Sequence, residues 1–109
     1  VTRAGGGGGN SGGGSSTAGA GGSGGGGTGA KYQVQAATNG TVNTGGGGGG
    51  ASNGGSPNYS TSGAGGKGVV ILSMPDAYYT GTTSGSPTVA TGVSGKTVLT
   101  FTGSGSYTP

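Results

Sequence analysis

Hydrophobic positions cluster at the C-terminal end of this chain and alternate there with period two. Val69-Val70-Ile71-Leu72-Ser73-Met74 is a continuous run of β-formers, the pattern of a strand buried on both faces, and Pro75-Asp76 supplies the turn that ends it. After Tyr78-Tyr79 the stretch 80–87 reads as loop or edge. Residues 88–91 and 96–102 then form the arms of a hairpin across Gly92-Val93-Ser94-Gly95. In the second arm Thr97, Leu99 and Phe101 share one face, while Val98, Thr100 and Thr102 share the other. Gly103-Ser104-Gly105 is a further turn, and Ser106-Tyr107-Thr108 reads as a last short strand pairing back. Enrichment in Thr and other β-branched residues supports strands throughout, and no segment carries a helical period.

Residues 1–68 carry a different pattern. Of 35 glycines in 109 residues, 29 lie before Val69, in tracts at 5–9 continuing through 12–14, at 21–22 and 24–27, and at 45–50. Between the tracts lie polar excursions, chief among them Lys31-Tyr32-Gln33-Val34-Gln35, in which Tyr32 and Val34 alternate with Gln33 and Gln35 as in a brief strand, or a loop. Glycine loses the most backbone entropy on ordering, so one outcome for such tracts is a flexible linker. The other is a bundle of extended three-fold helices of the polyproline II type. Such helices make no internal hydrogen bonds, and without side chains they approach closely enough to pair backbone groups between neighbours. The repeated interruptions favour the bundle, because they let the chain reverse and run back alongside itself. Collagen is excluded by the lack of a Gly-X-Y period and by only 4 Pro.

The expected fold class is therefore mainly β with little or no helix: a glycine-rich, polyglycine-II-like layer packed on a small antiparallel β-sheet. Residues 1–68 form the first region and 69–109 the second, the two packed together as one module of a longer chain. The second region stands near the size of roughly 40 residues below which chains seldom fold unaided, so the glycine half is expected to cover the sheet.

Composition narrows the chemistry. The ionisable side chains apart from tyrosine are Arg3, Lys31, Lys67, Lys96 and the single acid Asp76, with no His and no Cys. General acid–base catalysis needs a His or paired carboxylates, a nucleophilic triad needs an orienting base, and a metal site needs several ligands. We therefore expect no enzyme, no catalytic residue, no cofactor and no metal site. The formal charge of +3 comes from cations scattered along the chain, not from the converging set that phosphate backbones require, so nucleic acid is not an expected partner. No apolar run approaches the ~20 residues of a membrane span, and no membrane insertion is expected.

Ala90-Thr91-Gly92-Val93-Ser94-Gly95-Lys96-Thr97 fits a relaxed phosphate-loop pattern. A phosphate loop opens a helix, whereas the residues after Thr97 alternate as a strand. Asn39-Gly40-Thr41 and Asn58-Tyr59-Ser60 match the N-glycosylation acceptor pattern, at a frequency that a chain rich in Asn, Ser and Thr supplies by chance. The five tyrosines, Tyr32, Tyr59, Tyr78, Tyr79 and Tyr107, carry more information. An exposed phenol ring stacks on a sugar while neighbouring Asn, Ser and Thr bond its hydroxyls, so a Tyr-, Ser-, Gly- and Asn-rich surface suits recognition of glycans or protein loops. For Tyr78, Tyr79 and Tyr107 the competing reading is a half-buried place in the sheet. Tyr59, within Ser56-Pro57-Asn58-Tyr59-Ser60, sits in a turn-like loop and is the best single binding candidate.

Gly63-Ala64-Gly65-Gly66-Lys67-Gly68-Val69-Val70-Ile71-Leu72 and Val98-Leu99-Thr100-Phe101-Thr102-Gly103-Ser104-Gly105-Ser106-Tyr107-Thr108 resemble the glycine-rich domains of bacteriophage tail fibres and related virion adhesins of marine or cyanobacterial phages. Such domains pair glycine tracts with a Gly-Val-Val-Ile strand and close on a Phe-Thr-Gly-Ser-Gly turn. This chain departs from that layout by opening on glycine at Gly5 without a preceding apolar strand, which an upstream part or another chain would supply. The resemblance implies an extracellular location on the virion surface and a non-enzymatic role in host attachment. It implies binding of a host surface glycan or outer-membrane protein, association with other virion proteins, and a homo-oligomer such as a trimer. It places receptor contact in the loops between tracts, at Lys31, Tyr32, Gln33, Gln35, Asn58 and Tyr59. A purely structural virion or filament component with no receptor of its own is the alternative. Ice binding would need regularly spaced Thr on one face, and that spacing is missing.

Overall fold

The computed structural model describes residues 1–109, which divide into two compact units, Val1–Gly68 and Val69–Pro109. Each unit solves the problem of backbone hydrogen bonding in its own way.

In the first unit six short extended segments, here PG1 to PG6, lie side by side. They span residues 4–11, 18–22, 26–30, 38–41, 46–50 and 63–66. The bonds between them recur at every third residue. The N–H groups of Gly5, Gly8 and Ser11 on PG1 donate to the carbonyls of Gly24, Gly27 and Ala30, at or just before PG3, over 2.8–3.1 Å. Gly27 and Ala30 donate in turn to Gly47 and Gly50 on PG5, and Gly47 and Gly50 donate back to Gly5 and Gly8. PG1, PG3 and PG5 therefore run parallel and close a triangle of bonds. A spacing of three with bonds directed sideways is that of an extended three-fold helix, which has no internal partner for its amides.

PG2, PG4 and PG6 run the opposite way. Gly19 and Gly22 donate to Gly9 and Gly6, while Gly26 and Gly29 donate to Gly22 and Gly19, so PG2 lies antiparallel against both PG1 and PG3. Thr38 and Thr41 tie PG4 to PG3 through Thr28 and Gly25, and Gly49 donates to Thr38. Gly63 and Gly66 tie PG6 to PG5 through Gly49 and Gly46, and Gly40 donates to Ala64. These neighbour relations describe two layers of three, PG2-PG3-PG4 over PG1-PG5-PG6, with every helix bonded to each of its neighbours. Glycine is demanded where a neighbouring helix brings its carbonyls close: a Cβ on Gly7 would collide with the Gly48 carbonyl, and one on Gly48 with the Gly63 carbonyl. At Gly6 and Gly9, one turn apart on the outside of PG1, a Cβ would meet nothing within 4 Å. Gly12–Gly14 do not continue PG1, as their place so soon after Gly5–Gly9 suggested, but form the turn beyond it.

The second unit contains strands β1 (Val70–Pro75), β2 (Thr83–Ser84), β3 (Thr88–Val93), β4 (Lys96–Phe101) and β5 (Ser106–Tyr107), with one 3-10 turn at Asp76–Tyr78. The molecule is mainly β, in small antiparallel sheets, with no α-helix. β4 is central in the order β1-β4-β3, and β2 pairs with β5. The hairpin between β3 and β4 turns on Ser94 and Gly95, both at positive φ (52° and 75°), as a two-residue turn matched to strand twist requires. Gly92, expected within the connection, instead lies in β3 at φ 71°, where the register shifts between Ala90 and Val93.

Alternation along β4 sets the core: Thr97, Leu99 and Phe101 are buried and Val98 and Thr100 half-buried. β1 is the correction. It forms where the sequence predicts but is not buried on both faces, since Val70 is 58%, Ile71 43% and Leu72 36% exposed. With three strands in its sheet, β1 is an edge, hydrogen-bonded along one side only. Asp76, the only acid, ties the hairpin to the end of β1. Its Oδ1 accepts from Thr97 Oγ1 at 2.7 Å and from the Gly92 N–H at 3.2 Å, and its own N–H donates to the Gly95 carbonyl. The phosphate-loop-like residues 90–97 are thus the end of β3, its turn and the start of β4, with no helix following.

Gly48→Ala is expected to lower stability by about 1–3 kcal/mol or to prevent folding. Gly9→Ala should be neutral or stabilise by about 0.4–1 kcal/mol, because it restricts only the unfolded chain; thermal unfolding followed by circular dichroism checks both. Asp76→Ala, which leaves the buried Thr97 hydroxyl without its acceptor, should cost about 1–3 kcal/mol in the same measurement.

Candidate functional site

Alternation of direction decides where the loops fall. PG1, PG3 and PG5 are parallel, so the connections that leave them emerge at one end of the bundle, while the short turns at 23–25 and 42–45 lie at the other. At the second end the chain is tied down by Arg3 Nη1 donating to the Asn43 carbonyl at 2.8 Å, the Ala4 N–H to Thr44 and the Gly45 N–H to Lys67.

The first end is built on a buried floor. Ser11, Ala30 and Ser52, the residues at or just past the ends of PG1, PG3 and PG5, are 4%, 0% and 2% exposed. Ser52 Oγ donates to the Ser11 carbonyl at 2.9 Å, the Tyr32 N–H donates to Ser11 Oγ at 3.3 Å, and the Ser11 N–H donates to Ala30. Three loops rise from this floor. The first follows Ser11 through Gly12–Gly14 to Ser16, whose N–H donates to Gly13.

The second is Lys31–Gln35, and it is a tight loop, not a strand. Lys31 and Gln35 exchange N–H to carbonyl bonds, the Val34 N–H also donates to Lys31, and Gln33 turns the chain at φ 52°. The third runs from Ser52 to Tyr59, closed by the Ser52 N–H donating to the Tyr59 carbonyl and turned by Gly54 and Gly55 at φ 99° and 85°. The second and third loops touch: Gln33 Nε2 donates to the Ser56 carbonyl at 3.4 Å, and the Tyr32 ring lies against Gly54.

All six residues singled out in the sequence, Lys31, Tyr32, Gln33, Gln35, Asn58 and Tyr59, therefore lie at one end of one unit. Lys31, Tyr32 and Tyr59 are half-buried, and Gln33, Gln35 and Asn58 are exposed. Sequence reasoning missed the first loop, because its glycines read as a continuation of the tract. It also missed Ser11 and Ser52, whose only signal is their place as the second residue after a glycine tract. Val34, 57% exposed, adds an apolar side chain to this surface.

Chemically the end offers phenols, amides, hydroxyls and one ammonium group. No group of three His, Cys, Asp or Glu stands ready for a metal ion, and no helix is long and apolar enough to cross a membrane. The remaining tyrosines serve the second unit: Tyr107 stacks on Tyr79 with ring centroids 6.0 Å apart and donates its hydroxyl to the Tyr78 carbonyl at 2.9 Å. Tyr78 itself is 73% exposed. No protein-family model, curated protein or solved structure matches the chain.

Ser52→Ala removes the buried bond that joins the third loop to the first and should cost about 1–2 kcal/mol. Hydrogen exchange is expected to rise in residues 52–59 and 11–16 before it rises in the bundle interior.

Proposed function

We propose that this chain is a module of a phage tail fibre or other virion-surface adhesin, extracellular and non-enzymatic. It binds a host surface glycan or outer-membrane protein through the loop end of the glycine unit. The observation that carries the reading is the convergence of three loops over one braced floor, with Tyr32 and Tyr59 among amides and hydroxyls. Planar rings with exposed faces stack on sugars or on protein loops, and side chains held by a rigid base lose little entropy on binding. The glycine bundle below carries few side chains and no aromatic one, so it serves as the support. The module works within a longer chain, beside other virion proteins and as a homo-oligomer.

The alternative is a purely structural virion or filament component. The exposed apolar side chains of β1 favour it, because they suit contact with other chains and not with a polar glycan. Adsorption of the purified protein to host cells, competed by host surface polysaccharide, separates the two readings. On the adhesin reading, Tyr59→Ala and Tyr32→Ala each weaken adsorption about 5- to 30-fold, the cost of truncating an aromatic contact at about 1–2 kcal/mol, while Tyr78→Ala in the second unit leaves it unchanged. Absence of adsorption to any host cell surface would remove the adhesin reading and leave the structural one.

A further inference from the structure

β1 has one bonded edge and one free edge, and the free edge is unprotected. The N–H of Asp76 donates to Gly95, which continues the register of Met74 with Thr97, Leu72 with Leu99 and Val70 with Phe101. In an antiparallel ladder such bonded pairs alternate with unbonded ones. The N–H and C=O groups of Val70, Leu72 and Met74 thus face β4, and those of Ile71 and Ser73 face outward with no strand beyond them. Pro75, the next outward position, has no N–H to leave unpaired, as suits proline at an edge.

Natural edges are blunted by charge, bulges or inward-pointing polar groups. The other edge of this sheet, β3, is broken by its register shift at Gly92. β1 has no charged residue and an unbroken register, and it exposes Val70, Ile71 and Leu72.

We propose that β1 pairs antiparallel with β1 of a second copy of this chain, about a two-fold axis through Leu72. The strand is complementary to itself in that register. Ile71 and Ser73, the outward-bonding residues, fall opposite Ser73 and Ile71 of the second copy and exchange N–H to carbonyl bonds with them. Leu72 falls opposite Leu72 of the second copy, at the closer, unbonded spacing, and Val70 opposite Met74 of the second copy. Apolar side chains therefore meet apolar ones on the face that also carries Leu99, and the two three-stranded sheets become one of six strands. β3 cannot take the same role, since its shifted register breaks the ladder. The proposal gives the homo-oligomer of the adhesin reading a specific contact and symmetry. It does not use the loop end, so either can fail while the other stands.

The chain has no cysteine, so a single introduced one reports its own neighbour. Sedimentation equilibrium of the full chain across micromolar concentrations should show a species of twice the 9.7 kDa chain mass. Under mild oxidation Leu72→Cys should give a covalent dimer on a denaturing gel, whereas Val89→Cys on the other edge should not. Ser73→Lys, at an exposed position, should weaken the dimer at least tenfold with an unchanged circular dichroism spectrum, which keeps the test open should Leu72→Cys fail to fold. A monomer at all concentrations, a trimer, or a dimer indifferent to Ser73→Lys would each overturn the proposal.

Discussion

A backbone amide removed from water must be paired, and in residues 1–68 that pairing replaces the apolar core as the organising demand. An extended three-fold helix holds its N–H and C=O groups sideways, so it is complete only when neighbours stand on several sides. PG3 and PG5 show the consequence. PG3 is bonded to PG1, PG2, PG4 and PG5, and PG5 to PG1, PG3, PG4 and PG6. Bonds at every third residue fix each helix in rotation and in height at once. The glycines follow from this geometry, because carbonyls approach too closely at Gly7, Gly26 and Gly48 to leave room for a methyl group. Their conformational freedom, costly to surrender, is offset by how densely the backbone groups then pair.

The second unit obeys the ordinary rules of a sheet. Its core is a single face of the central strand β4, where Thr97, Leu99 and Phe101 are buried. The unit is small, and its stability leans on local devices: the Ser94-Gly95 turn, the Asp76 bonds to the hairpin, and the Tyr107 hydroxyl reaching Tyr78. Its apolar residues exceed what one small sheet can cover, which is why β1 remains exposed.

β1, β3, β4 and β5 were legible because period-two alternation in residues 96–101 and the β-forming run at 70–74 are local signals, and each of these strands lies within a residue or two of its sequence reading; β2, two residues long within the stretch read as loop or edge, carried no such signal. Burial was less legible. A continuous apolar run looks the same whether neighbours flank it on both sides or on one, and only the strand order shows that β1 is an edge. In the glycine unit the tracts marked where side chains are absent but not where helices end. Gly12–Gly14 belong to a loop, whereas residues 38–41, with a single glycine, form PG4. The candidate loops could be named one by one, from Tyr32 and Tyr59, because aromatic residues stand out against glycine. Their meeting at one end could not, since it depends on the parallel course of PG1, PG3 and PG5. Ser11 and Ser52 were invisible for the same reason: nothing in a lone serine records that its hydroxyl will be buried against another loop.

The three-residue repeat also sets what kinds of length change the unit tolerates. One residue inserted into PG5 would rotate everything after it by a third of a turn, carrying glycines out of the contacts that need them and side chains into contacts that have no room. Three inserted residues would restore the phase but shift the height of the bonds. Additions between Ser52 and Tyr59, or beyond Ser11, change neither rotation nor height of any helix. Drift in chain length is thereby channelled to the loop end, and the part of the unit best placed to meet new partners is also the part free to vary.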